Sequence, residues 1–276
     1  MAKIKMLALD LDGTLLNDQR EVSKATELKL KEVIAKGIKV VLVSGRPLAG
    51  IQPYLQQLGL VTEDQYCLTF NGCMVVNAAG DLISGTFLNY DDFLCLEELA
   101  NKYEATFHYE IESSYTTSKF IDVAFCKEGF RTRMPARVLE LEEVSKDLQF
   151  AKGVITVYPY ERADEIMSDL SAELFDRFAI SHSAEGIIEF TSKLVTKASA
   201  IKDLVKKIGF KLEEVAVFGD ADNDISMFEE SAFYKVAMGN AIDELKQRAN
   251  LVTKNNNDDG IVYAVKQLKD QGILNI

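Results

Sequence analysis

Four short apolar runs punctuate the chain, and each stops abruptly at polar or glycine residues. They are Ile4–Leu9 before Asp10, Ile38–Val43 before Ser44-Gly45-Arg46, Cys67–Phe70 before Asn71-Gly72, and Val215–Phe218 before Gly219-Asp220. Continuous rather than alternating hydrophobicity predicts strands buried on both faces, as in a parallel sheet. Between the first two runs, Ala25, Leu28, Leu30, Val33 and Ile34 give a predicted helix its apolar face, with Ser23 as N-cap and Gly37 as stop. Pro47 opens the next helix and Gly59 closes it. The same order returns near the C-terminus. A helix Lys197–Ile208 ends at Gly209, the Val215 run follows, then a helix from about Asn223, a short run at Val236–Met238 and a last helix from Asp259 to Leu268. Strand and helix in alternation predict an α/β, doubly wound parallel-sheet core.

The stretch from Ser84 to Phe190 has another character. It holds 16 of the 25 aromatic residues and both histidines, and its runs Val154–Tyr158 and Ile187–Thr191 alternate. Alternation predicts an antiparallel sheet with one covered face. The expected organisation is therefore a discontinuous core, 1–83 and 191–276, with an α+β domain, 84–190, inserted into it.

Composition narrows the classes of function. The 276 residues carry 31 Lys+Arg against 43 Asp+Glu, a net charge of −12. Such an acidic surface repels phosphate backbones and anionic lipid, so neither nucleic acid nor membrane is expected as a partner. No apolar run reaches the 18 or so residues of a membrane span, and the opening Met-Ala-Lys-Ile-Lys leads into Asp10 and Asp12 rather than into a secretory signal. The four cysteines show no CxxC pair and no zinc spacing, which predicts free thiols in a reducing, cytoplasmic setting. With only His108 and His182, chemistry falls to carboxylates rather than to a Ser-His-Asp triad or a histidine metal cluster.

In open α/β sheets the working residues gather at the carboxyl ends of the strands, where every polar cluster above sits. Asp10, Asp12, Ser44, Asn71 and Asp220 are thus expected in one crevice, joined by Lys197 at a helix start. Clustered carboxylates repel one another unless a cation lies between them, and hard oxygen ligands suit Mg2+. An EF-hand reading of either acidic run fails, because its sixth position, which needs glycine, is Leu15 in one and Ile225 in the other. Taken singly, Asp12-Gly13, Ser44-Gly45 and Asn71-Gly72 also read as turns, and Asp220–Asp224 as a helix cap.

Asp10-Leu11-Asp12-Gly13-Thr14 after an N-terminal strand resembles the first motif of the haloacid dehalogenase-like (HAD) phosphatases, with their Rossmann-like core. Ser44-Gly45-Arg46-Pro47, Lys197 and Gly219-Asp220-Ala221-Asp222-Asn223-Asp224 resemble the second, third and fourth motifs, in order. Asn71-Gly72, Val236–Ala241, and Asn256 with Asp259-Gly260 resemble the Cof-type branch, which carries its cap between the second and third motifs. The residue after Asn71-Gly72 is Cys73 where many relatives carry alanine, and Ala198 follows Lys197 where glycine is common. The resemblance implies Asp10 as nucleophile and Asp12 as general acid–base. It implies a Mg2+ site of Asp10, Asp220 and the Asp12 carbonyl, and phosphate contacts from Ser44, Gly45, Lys197 and Asn223. Asp224, Asn71, Gly72, Arg46 and Asn256 would stand in support or near the substrate. The activity implied is hydrolysis of a small phosphorylated metabolite, a sugar phosphate above all, by a monomer or homodimer, with specificity carried by the inserted segment. The alternative is a phosphomutase of the phosphomannomutase type, for which Arg131, Arg133 and Arg137 could hold a second phosphate.

Overall fold

The computed structural model describes residues 3–118 and 121–276. From the N-terminus come strand β1 (Met6–Asp10), helix α1 (Lys24–Ala35), β2 (Lys39–Val43), α2 (Leu48–Leu58), β3 (Tyr66–Thr69), β4 (Met74–Asn77) and β5 (Leu82–Gly85). The middle of the chain forms β6 (Leu88–Asn89), α3 (Tyr90–Lys102), β7 (Thr106–Glu110), β8 (Ser114–Thr116), α4 (Val123–Thr132), β9 (Ala136–Val138), β10 (Gln149–Phe150), β11 (Lys152–Thr156), α5 (Arg162–Asp169), α6 (Ala172–Arg177), β12 (Phe178–Ala184) and β13 (Ile187–Ser192). The last third adds α7 (Lys197–Ile208), β14 (Val215–Gly219), α8 (Ile225–Glu229), β15 (Tyr234–Ala237), α9 (Asp243–Arg248), β16 (Leu251–Val252) and α10 (Gly260–Asp270).

These elements form two compact units, one of Met1–Gly45, Ile51–Ser84 and Thr196–Ile276, the other of Arg46–Gly50 and Gly85–Val195. The first unit holds an eight-stranded sheet in the order β16-β15-β14-β1-β2-β3-β4-β5. Pairing is parallel from β16 to β3, and β4 turns back antiparallel on β3. That departure from an all-parallel sheet follows from a connection of only four residues, too short for a crossover. β1, β2 and β14 are buried almost throughout, as their unbroken apolar runs require. The chain leaves β1 toward β2 on one side and returns to β14 on the other, so Asp10 ends the strand where the winding reverses. Registers Asp10↔Val43, Leu9↔Phe218 and Gly219↔Ala237 bring the carboxyl ends of these strands to one rim. Ser23 caps α1 through the Thr26 N–H, and Gly209 ends α7 in the left-handed conformation.

The second unit is built on a six-stranded sheet in the order β12-β13-β11-β7-β8-β9, antiparallel except between β8 and β9. One face packs on α3, α5 and α6 through Phe93, Leu96, Phe107, Ile155, Phe178 and Phe190. The alternating pattern predicts that the opposite face is solvated, and the structure differs. His108, Glu110, Ser114, Lys152 and Glu189 on β7, β8, β11 and β13 are all buried. α4 lies here: Phe125 sets its ring edge-on to His108 at 4.9 Å, and Asp122, which caps α4, accepts from the Thr156 hydroxyl. Polar side chains that read as water-facing are thus enclosed, and it is the charged ones among them that pair. Lys152 does most of this, 3.1 Å from Glu110 and 2.9 Å from Glu189. Arg133 and Arg137 of the same unit are exposed, while the Arg131 side chain lies outside the described residues. The four cysteines are free, and no helix among the described residues is long and apolar enough to cross a membrane.

Candidate active site

Asp10 is the last residue of β1, and the chain after it folds into a tight loop in which the Leu15 and Leu16 N–H groups bond the carbonyls of Asp10 and Leu11. The Asp10 carboxylate is almost wholly buried and accepts the Lys197 ammonium at 2.6 Å. Lys197 opens α7 and is itself fully enclosed, with its other bond to Asp224 at 2.7 Å. Asp224 in turn accepts the backbone N–H groups of Asp220 and Ala221 at 2.9 and 3.2 Å. On the neighbouring loop end, the Thr14 hydroxyl donates to Asp220 at 2.7 Å. An unbroken chain of charged and polar groups therefore runs from β1 through α7 to the end of β14.

The electrostatics follow from this packing. Burial, and then the charge of Asp224, push the Asp10 carboxyl well above the usual carboxylate range against the pull of Lys197. Burial likewise raises Asp220 to about 6, opposed by the Thr14 hydroxyl. Burial disfavours the Lys197 ammonium, yet Asp10 and Asp224 outweigh it and hold its pKa above the ordinary lysine value. Oxygens of Asp10, Asp220 and Asp224 lie within 4.8 Å of one another, a grouping able to hold a metal ion. Three carboxylates around one ammonium leave excess negative charge in a buried place, which a hard divalent cation fits. Asp224 is fully buried, with one oxygen on the Lys197 ammonium and the other on two backbone N–H groups, whereas Asp220 is partly open.

The other residues expected here divide. Asp12 lies two positions beyond Asp10 on the loop and is exposed, near enough for its charge to act on Asp220. Ser44 follows β2, is buried, and takes the Asn71 N–H on its carbonyl at 2.9 Å. Asn71 lies over Gly45 and accepts Asn223 Nδ2 at 3.4 Å, so Gly45, Asn71 and Asn223 meet in one place. Gly72 has φ +100°, and a Cβ there would meet the Thr196 carbonyl at 2.8 Å. Only glycine lets the β3 turn approach the start of α7 this closely, so Gly72 fixes where Lys197 begins. Arg46 belongs to the segment 46–50 that groups with the second unit. Asn256 stands with a neighbouring loop instead, donating to the Leu16 carbonyl at 3.0 Å and to Asp18 at 3.2 Å. Reading the strand ends passes over Thr14, although it closes the Asp10–Thr14 run, and over Asn240, whose signal is the Val236–Ala241 run.

A doubly wound core with a cluster of carboxylates and one lysine gathered at its switch point is thus defined. The chain belongs to the haloacid dehalogenase-like hydrolases, whose family model matches residues 7–265. It is 32% identical over 266 residues to YxeH of Bacillus subtilis strain 168, covering 96% of this chain and 98% of that one. It is 28% identical over 263 residues to 5-amino-6-(5-phospho-D-ribitylamino)uracil phosphatase YcsE of the same organism, covering 95% of each. Among solved structures it is similar to the HAD subclass IIB sugar phosphatase BT4131, with TM-score 0.75 and 25% identity over 98% of this chain and 99% of that one.

Proposed function

We propose that this phosphatase hydrolyses small phosphorylated sugars or polyols in the cytoplasm, with Mg2+ as cofactor and an aspartyl-phosphate as intermediate. The observation that carries the reading is the buried Asp10–Lys197–Asp224 chain at the switch point, beside Asp220. Mg2+ held by Asp10 and Asp220, with the Asp12 carbonyl, would neutralise the charge of the transferring group. Asp10 attacks phosphorus with a carboxylate oxygen, the bond to the leaving alcohol breaks, and Asp12 gives that oxygen its proton. Asp12, now a carboxylate, takes a proton from water, which attacks phosphorus and releases phosphate from Asp10. Lys197 presents its ammonium to the phosphoryl oxygens from a position that Asp224 holds. Ser44 and Asn223, with the Gly45 backbone, complete the phosphate contacts.

Two observations support the substrate class. The substrate in YcsE's name carries its phosphate on a ribityl chain, a polyol, and BT4131 is described as a sugar phosphatase. The four free cysteines fit a reducing cytoplasm. The test is phosphate release, with Mg2+, from a panel of hexose, pentose, polyol and nucleotide phosphates. The expected result is the highest kcat/KM on a sugar or polyol phosphate. Release confined to nucleotides overturns the substrate class, and movement of phosphate between sugar positions without release overturns hydrolysis.

A further inference from the structure

Asn240 stands on the loop after β15, outside the residues given a chemical role above, yet its amide touches three strand-end loops. Its orientation is set by its neighbours. The Asn256 N–H can only donate, so Oδ1 faces it at 3.0 Å; the Gly13 carbonyl can only accept, so Nδ2 faces it at 2.8 Å. The same Nδ2 lies 3.4 Å from Asp220 Oδ2. Its loop is tied to the backbone on either side of that carboxylate, from the Met238 N–H to Gly219 at 3.1 Å and from the Ile242 N–H to Asp220 at 2.9 Å.

Gly13 makes this amide matter. It has φ +79°, and a Cβ on it would lie 2.2 Å from Asp220 Oδ2. No side chain can stand between the Asp10–Thr14 loop and Asp220, so hydrogen bonds set their separation. Thr14 holds Oδ1 at 2.7 Å, and Asn240 spans Oδ2 and the Gly13 carbonyl. Carboxylates that hold metal ions depend on such outer partners, and losing one typically costs 10–100-fold in metal affinity.

We propose that Asn240 is a positioning residue that sets the spacing between the Asp10–Thr14 loop and Asp220, and thereby the affinity of these carboxylates for their divalent cation. The inference rests on the cation site described under the proposed function. The experiment titrates Mg2+ into the whole parent protein, Asn240→Ala and Asn240→Ser by calorimetry, with circular dichroism and melting of the metal-free proteins alongside. Asn240→Ala is expected to bind Mg2+ about 10–100-fold more weakly, and Asn240→Ser, whose hydroxyl keeps a donor, to lie between. Metal-free melting should move by no more than about 4 °C, the size of one exposed hydrogen bond in a protein of this length. A merely structural amide would lower the melting point and leave Mg2+ affinity unchanged. If the parent binds Mg2+ and Asn240→Ala binds it within twofold, this inference alone is overturned. If the parent binds none, the cation site falls and the inference with it. Should Asn240→Ala fail to fold, Asn240→Ser decides, and parent-like affinity in it counts against the proposal.

Discussion

Lys152→Met removes one ammonium from the enclosed polar face of the second unit and changes side-chain volume little. Lys152 lies 3.1 Å from Glu110 and 2.9 Å from Glu189, with all three side chains buried. Burial pushes the Glu110 carboxyl up, but Lys152 and His108 more than offset this and hold it at about 2, against an ordinary 4.5. That depression corresponds to about 3 kcal/mol for Glu110 alone, at roughly 1.4 kcal/mol per pH unit. Breaking a buried pair by removing one partner typically costs about 3–5 kcal/mol, and a methionine here also strands Glu189. The expected loss at pH 7 is therefore about 3–5 kcal/mol. The sign of the pH response should differ between the two proteins. In the parent, a depressed carboxylate stabilises above about pH 4.5 and loses that contribution as pH falls toward 2. In the variant, Glu110 keeps its burial but loses the ammonium that offset it, so protonation relieves it and the deficit should shrink between pH 7 and pH 5. Urea unfolding followed by tyrosine fluorescence reads this, since six of the ten tyrosines belong to the second unit. A deficit below about 1 kcal/mol at pH 7, or one that stays the same at pH 5, refutes the reasoning.

Further outcomes test the chemistry at the strand ends. Asp10→Asn should end turnover and leave no acid-stable phosphoprotein after quenching with labelled substrate; near-parent phosphate release would remove Asp10 as nucleophile. Asp12→Ala should lower kcat by about 10²–10⁴, the usual worth of a general acid–base group. The loss should be much smaller for p-nitrophenyl phosphate than for an alkyl phosphate, and equal losses would exclude the acid role. Chelation should abolish activity and Mg2+ restore it, whereas Ca2+, with its longer bonds and higher coordination number, should not. Full turnover in Ca2+ would count against the assigned site.

Element types were legible where local chemistry and tertiary demand agree. Val215–Gly219 is apolar because it is buried on both faces, and the helix Lys197–Ile208 has a capping threonine at one end and Gly209 at the other. The meeting of Asp10, Lys197 and Asp220 was legible from topology, since strand ends share a rim whatever their distance in sequence. Asn240 was not, because a loop asparagine reads as a turn residue until its two amide ends are seen to join separate loops. Nor was the fate of the polar face in the second unit. His108, Glu110 and Lys152 alternate with apolar residues as a solvated face would, and only the placement of α4 over them shows that they are enclosed.

The order of residues along the chain has a consequence for synthesis. β1 takes its place between β2, which follows it closely, and β14, whose first paired residue is Val215 against Met6. One edge of β1 thus stays open while some two hundred residues are added. During that interval Gly85–Val195 is a continuous stretch, so the six-stranded sheet has all its strands synthesised before the eight-stranded sheet does. Asp10 is made among the first residues, but Lys197 follows only after about seven-tenths of the 276 residues and Asp224 after about four-fifths. A nascent chain stalled before α7 carries the proposed nucleophile without the ammonium of Lys197 that bonds it, and is expected to be inert toward phosphate esters.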